Sequence, residues 1–303
     1  MDTHFSKSPS LATDTAALVR KVRKIGIKTS RLSRNLLVGS YHSAFKGLGM
    51  TFSDVRLYQW GDDVRNIDWN VTARSGETHI KIFEEDRELN VMLLVDVSGS
   101  AFFGGEMRAK QDLLTELCAV LAFSADQNQD KVGMLLFADK PLLYIPPKKN
   151  RQHVMLMLRE LLSLQPHDRA TNLSVALHFA QNVLKKRSVC FIISDFMTRG
   201  YDKALSVLSR RHDCIGLHCW DERERTLPDV GVLCLRDPES GQTTWADTTS
   251  PDFRRAYTAS FDTQLARTRA VFQKAGADFL SLNTSQSYVQ PLLAFFDRRA
   301  KRH

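Results

Sequence analysis

The sequence predicts an α/β protein built on a mostly parallel, doubly wound sheet. From residue 89 onward, short and nearly continuous apolar runs such as NVMLLVD and SVCFIISD recur. Runs of that length without alternation read as strands buried on both faces. Longer stretches of helical pattern lie between them, and strands alternating with amphipathic helices are the units of a parallel sheet covered on both sides. With 43% hydrophobic residues in 303, a sizeable core is available and wholesale disorder is excluded.

The elements follow in order. Residues 14–35 read as one or two basic amphipathic helices, with Leu18, Val22 and Ile25 at helical spacing among lysines and arginines. GSYHSAFKGLGM then breaks the pattern with glycines. Residues 51–88 mix short β-like pieces with a high density of acids and arginines. In the region that follows, NVMLLVD, KVGMLLFAD, SVCFIISD, DCIGLHCW and ADFLSL are the expected strands. Helical patterns cover 106–128, 151–164, 172–187, 201–210 and 252–275. VGVLCLRDPESGQTTWAD reads as a hairpin turning at PESG. The expected organisation is a basic helical leader over 1–36, an N-terminal strap over 37–88 and a sheet domain over 89–303.

The net charge of +8 is concentrated at the ends. The first fifty residues hold nine lysines and arginines against Asp2 and Asp14, and residues 295–303 add +3, so the body is slightly acidic. Basic ends suit nucleic acid, an anionic surface or an acidic protein face, but no aromatic residues interleave with them as a base-stacking platform requires. Solvated termini are the simpler reading. No apolar run reaches the roughly 20 residues of a membrane span, and the start lacks the apolar stretch of a signal peptide. Cytoplasmic localisation is the expectation. The five cysteines are read as small core residues of a reducing compartment. A zinc site at Cys214 and Cys219 with His212 and His218 is disfavoured, because CIGLHCW alternates as a strand does.

Ligands of open parallel sheets bind at the carboxyl ends of the strands, where strand order reverses. Here LLVD ends in Asp96 and FIISD in Asp195, and PHDRATNLSVAL places Thr171 before a helix starting near Asn172, where an N-cap or a ligand hydroxyl would lie. Asp96, Ser98 and Ser100 present three oxygens on one tight turn. A hard cation takes about six oxygens and gives up water reluctantly, so Asp96, Ser98, Ser100, Thr171 and Asp195 form a candidate metal set. Turns and helix caps without metal are the competing explanation for any one segment.

DVSGS, ATNL and ISD resemble the three parts of the metal-ion-dependent adhesion site of von Willebrand factor A domains, over roughly residues 89–285. The upstream stretch YQWGDDVRNIDWNVTARSGETHIKIFEEDRE resembles the signature of a bacterial family of such proteins, domain-of-unknown-function family 58, whose members are commonly encoded beside MoxR-type AAA+ ATPases. That resemblance spans about residues 37–300. It implies a von Willebrand factor A-like fold and Mg²⁺, Mn²⁺ or Ca²⁺ held by Asp96, Ser98, Ser100, Thr171 and Asp195. It also implies a non-enzymatic, metal-dependent protein-interaction module that works with a MoxR-type ATPase on a client protein in chaperone-like maturation or remodelling. One departure is visible: RAT stands where many such sites carry two small residues before the threonine.

The strap admits a sharper alternative, a carboxylate cluster for metal-dependent hydrolysis of nucleic acid. Its acids are interspersed with Arg56, Arg65, Arg74, Lys81 and Arg87, which favours an ion-pair clamp. In that clamp Arg65 and Asp68 are expected to be paired structurally, and Trp60 and Trp69 to anchor it.

Overall fold

The computed structural model describes Tyr41, Ala44, Phe45 and residues 50–85, 88–102, 109–163, 170–236 and 242–302. The basic helical leader lies outside the described residues. The strap is an antiparallel pair, β1 (Met50–Leu57) and β2 (His79–Glu85), bridged by a 3₁₀ turn and the short helix α1 (Trp69–Ser75). The sheet domain follows with β3 (Asn90–Asp96), α2 (Ala109–Gln127), β4 (Lys131–Phe137), β5 (Pro141–Lys148) and α3 (Arg151–Ser163). It continues through α4 (Leu173–Val183), β6 (Val189–Ser194), α5 (Asp202–Arg211), β7 (Asp213–Trp220) and the single turn α6 (Glu222–Arg225). The hairpin β8 (Val232–Arg236) and β9 (Thr243–Asp247), the long helix α7 (Pro251–Lys274), β10 (Asp278–Asn283) and α8 (Val289–Ala300) complete it.

The main sheet has six strands in the order β10-β7-β6-β3-β4-β5. Five run parallel, and β5 pairs antiparallel at one edge. This is the doubly wound, von Willebrand factor A-like architecture that the sequence implied. Alternation along β3 divides the core: Val91, Leu93 and Val95 pack with α2, α3 and α8, whereas Met92 and Leu94 pack with α4, α5 and α7. Both faces are covered, which is why β3, β4 and β6 read as unbroken apolar runs. Tyr41 and Phe45 belong to the first of these layers, edge-on to Phe296 at 5.9 and 5.8 Å.

The chain passes from β3 outward to β4 and β5, then returns to β6 on the other side of β3. The order therefore reverses between β3 and β6, which are hydrogen-bonded neighbours from Val91↔Val189 to Val95↔Ile193. A crevice at the carboxyl ends of these two strands is the natural ligand position of the fold.

The strap departs from its expected construction. Asp68 caps α1, accepting from the backbone N–H groups of Asn70 (3.0 Å) and Val71 (3.2 Å). Its ion partner is Lys81, at 3.8 Å, rather than Arg65. The strong pair here is Arg56 with Asp62, two bonds of 2.7 Å. Trp60 and Trp69 anchor nothing within the described residues: they are 101% and 69% exposed. The cysteines divide as well. Cys118, Cys190, Cys214 and Cys219 are buried, but Cys234 is exposed on β8. Cys214 and Cys219 sit in the two different core layers, on opposite faces of the sheet, so one zinc ion cannot bridge them.

Candidate metal centre

The site grows from the ends of β3 and β6. Asp96 is the last residue of β3, and the backbone N–H of Ser98 turns back onto its Oδ1 at 3.0 Å. This closes a tight turn that brings Ser98 and Ser100 together, with their hydroxyls 3.1 Å apart. Ser194, the last residue of β6, donates its hydroxyl to Asp96 Oδ2 at 2.6 Å and accepts from the Phe196 N–H at 3.0 Å. One serine thus fastens the two central strand ends to each other.

Asp195 follows immediately. Its Oδ1 accepts from the Met197 N–H at 3.2 Å, and the Ser100 hydroxyl faces the same carboxylate. Phe196 holds a left-handed backbone, φ 54°, which a bulky residue adopts only under external constraint. The constraint is visible: the Phe196 ring is fully buried and meets Phe272 of α7 edge-on at 5.1 Å. That kink brings the next N–H round onto Asp195.

The third loop arrives through the backbone. The Asn172 N–H donates to the Ala138 carbonyl at 2.8 Å, and the Thr198 hydroxyl donates to the Thr171 carbonyl at 3.1 Å. The helix cap is Asn172, whose side chain accepts from the Val175 N–H, so the capping role falls one residue beyond Thr171. Asp96, Ser98, Ser100, Thr171 and Asp195 are all buried at this edge. Four of them are joined by direct contacts or facing charges, while the Thr171 carbonyl meets the loop that follows Asp195 through the Thr198 hydroxyl.

Two residues outside the predicted set complete the electrostatics. Lys110, in the first turn of α2, places its ammonium 2.8 Å from Asp195 Oδ2 and 2.6 Å from Glu224 Oε1, with its side chain only 1% exposed. Glu224 is held by its own capping box, its Oε2 accepting from the Asp221 N–H at 3.1 Å. Both had a sequence signal. Lys110 stands on the buried stripe Leu113, Leu114, Leu117 and Leu121 of α2, where a lysine must find a partner. Glu224 completes the Asp-x-x-Glu pattern of the α6 cap.

Burial and the nearby Asp195 charge push the Asp96 carboxyl up to about 7. Burial would raise Asp195 too, but the Lys110 ammonium outweighs it and holds Asp195 below the usual carboxylate range. Burial likewise raises Glu224 above its ordinary value. When all four groups are ionised, Asp96, Asp195 and Glu224 against Lys110 leave a net charge of −2. An uncompensated charge of that kind is costly away from water. A divalent cation beside Asp96 would bring the sum to zero, and the hydroxyls of Ser98 and Ser100 supply neutral oxygen ligands of the type a hard cation takes. The residues present therefore fit such an ion. Among the described residues no group of three or more His, Cys, Asp or Glu has metal-holding geometry; the set here offers two acids, Asp96 and Asp195, and takes its other oxygens from hydroxyls.

No helix among the described residues is long and apolar enough to cross a membrane. An uncharacterized protein of Mycobacterium tuberculosis strain H37Rv is 30% identical over 294 residues, covering 95% of this chain and 92% of its own. An uncharacterized protein of Mycobacterium avium is 26% identical over 163 residues, covering 52% of this chain and 94% of its own. Solved structures that align with the chain include an aerotolerance-related membrane protein from Bacteroides fragilis, with TM-score 0.45 and 15% identity over 71% of this chain and 100% of the other. The SpRpn10 VWA domain aligns with TM-score 0.39 and 12% identity, over 68% of this chain and 94% of that domain. The model of the protein family of unknown function DUF58 matches residues 54–267. That match covers more than half of the sequence, and the chain belongs to the DUF58 family.

Proposed function

We infer that the protein is a metal-dependent protein-interaction module, with Asp96, Ser98, Ser100, Thr171 and Asp195 as the residues that hold Mg²⁺ or a similar divalent ion. The observation that carries this reading is the buried cluster at the β3–β6 reversal, with Asp96 at its centre and three carboxyl groups facing one ammonium, a net charge of −2 when all are ionised. When bound, the ion supplies an electrophilic position open to a carboxylate from a partner protein. The chain's own residues arrange this. Asp96 gives charge, and Ser98 and Ser100 give oxygens without charge. Ser194 and the Ser98 N–H hold the carboxylate of Asp96 in one orientation.

The family resemblance supplies the partner in this proposal: a MoxR-type AAA+ ATPase, with the protein as its adaptor toward a client. Hydrolysis of nucleic acid by the strap has less support, since Asp62 is engaged by Arg56 and Asp68 by the α1 cap. The test is a pull-down of a MoxR-type ATPase encoded beside the gene, in Mg²⁺, in chelator and with Ser98→Asp. Association should be lost in chelator. It should also weaken with Ser98→Asp, because the added carboxylate satisfies the cation from within. Association that ignores both would place the partner surface elsewhere.

A further inference from the structure

We propose that Lys110 is the affinity-setting residue of this site: it occupies Asp195 from within the protein, so that a divalent ion is held chiefly by Asp96 and neutral hydroxyls. The proposal rests on the metal reading above and concerns a residue outside the ligand set. Its basis is geometric. The Lys110 ammonium lies 2.8 Å from Asp195 Oδ2, and Oδ1 of the same carboxylate accepts the Met197 N–H. Both oxygens of Asp195 are thus engaged, one of them by a full positive charge, which leaves this carboxylate to reach an ion through water rather than as a direct ligand.

The position of the lysine argues against a purely structural role. A cation in the first turn of a helix opposes the helix dipole, and a lysine 1% exposed has given up its hydration. An apolar residue on the same stripe would avoid both penalties but leave Asp195 and Glu224 without a counter-charge. What the lysine provides is charge control. Asp195 is ionised but already paired, and Glu224, bonded to the lysine at 2.6 Å, keeps that ammonium from being shared further. A second unpaired carboxylate beside the ion would bind it more tightly. It would also quench the ion's attraction for an outside carboxylate, which is the attraction the interaction needs. Lys110 therefore exchanges metal affinity for partner affinity.

The pair makes predictions of opposite sign. Glu224→Gln removes one negative charge while leaving an acceptor for Lys110, and should weaken Mg²⁺ binding about tenfold. Lys110→Met combined with Glu224→Gln restores the net charge of the cluster but frees Asp195, and should bind Mg²⁺ at least about tenfold more tightly than wild type. The double variant leaves no buried acid facing a missing lysine except Asp195 itself, and thermal melting establishes that each variant is folded. The experiment is calorimetric titration of Mg²⁺ into the full chain for wild type and both variants. Weakening in the single variant and tightening in the double variant support the role of Lys110. Equal affinity in all three, with clear binding, overturns it while leaving the metal site standing. Absence of binding in every variant overturns the metal reading, and this proposal with it.

Discussion

At the residue scale, Ser194 has the largest consequence for its size. Its hydroxyl satisfies a buried oxygen of Asp96 and receives the N–H of the strained Phe196. Ser194→Ala leaves both without a partner. The expected loss is about 2–4 kcal/mol, in the range for two buried polar groups unsatisfied at once, and urea unfolding measures it. A loss below about 0.5 kcal/mol would mean that water or a neighbouring group replaces the hydroxyl. Asp96, Ser98, Ser100 and Asp195 could be assigned to one edge from the sequence because each sits at or just past a strand end, and strand ends are legible from where an apolar run stops. Ser194 was not legible as a site residue. It is simply the last residue of a buried run, and its role depends on the β3–β6 pairing, which no local pattern reveals. Lys110 lies on another element altogether, 85 residues from Asp195 in sequence.

At the scale of elements, close approach decides what can change. Gly216 of β7 faces Phe272 of α7, and a Cβ there would lie 2.5 Å from the ring. Gly216→Ala must displace Phe272, and with it the packing that holds Phe196 in its kink. A loss of about 1–3 kcal/mol follows from overpacking. Gly216→Ala with Phe272→Leu should recover part of it in the same unfolding measurement; no recovery would place the strain elsewhere. The strap behaves differently. Asp68→Ala removes a helix cap and a pair with a half-exposed lysine, so about 1 kcal/mol is expected, well short of a buried ion pair. Trp60→Ala should change stability by less than about 0.5 kcal/mol, because the ring is fully exposed. The tryptophans were misjudged because apolarity alone does not say which surface covers a side chain. β5 escaped the sequence reading for another reason. PLLYIPPK contains three prolines, which a central strand excludes and an antiparallel edge strand tolerates.

At the scale of the whole molecule, two buried histidines give stability a pH dependence. His212 is buried among Arg211 and Arg187, with neither ring nitrogen bonded, and burial followed by those cations pushes it down to about 4. Burial likewise pushes His218 down to about 4; its Nδ1 lies 2.9 Å from the Ser281 hydroxyl. A base whose folded value is depressed binds fewer protons folded than unfolded. Its contribution to stability is therefore intact above the ordinary value near 6.5 and is lost as pH falls from 6.5 to 4. Each histidine accounts for up to about 3 kcal/mol over that window. The buried acids Asp96 and Asp130, both raised, act in the opposite sense, so the informative quantity is a difference. His212→Phe should lose less stability than wild type between pH 7 and pH 4.5. Parallel profiles would mean that His212 gains a partner on protonation.

The whole fold converges on one feature, the reversal of strand order that brings two acids and two serines into a buried cluster with a deficit of positive charge. Mg²⁺ titration by calorimetry on wild type and Asp96→Asn tests the central claim most directly. The substitution keeps the shape of the side chain and an acceptor for the Ser98 N–H, removes the charge, and turns the oxygen that accepts from Ser194 into an amide donor, to which the Ser194 hydroxyl must reorient. Saturable one-site binding in wild type and its loss in Asp96→Asn, with both proteins folded, is the predicted result. Equal binding in the two proteins, or none in wild type, would contradict the account.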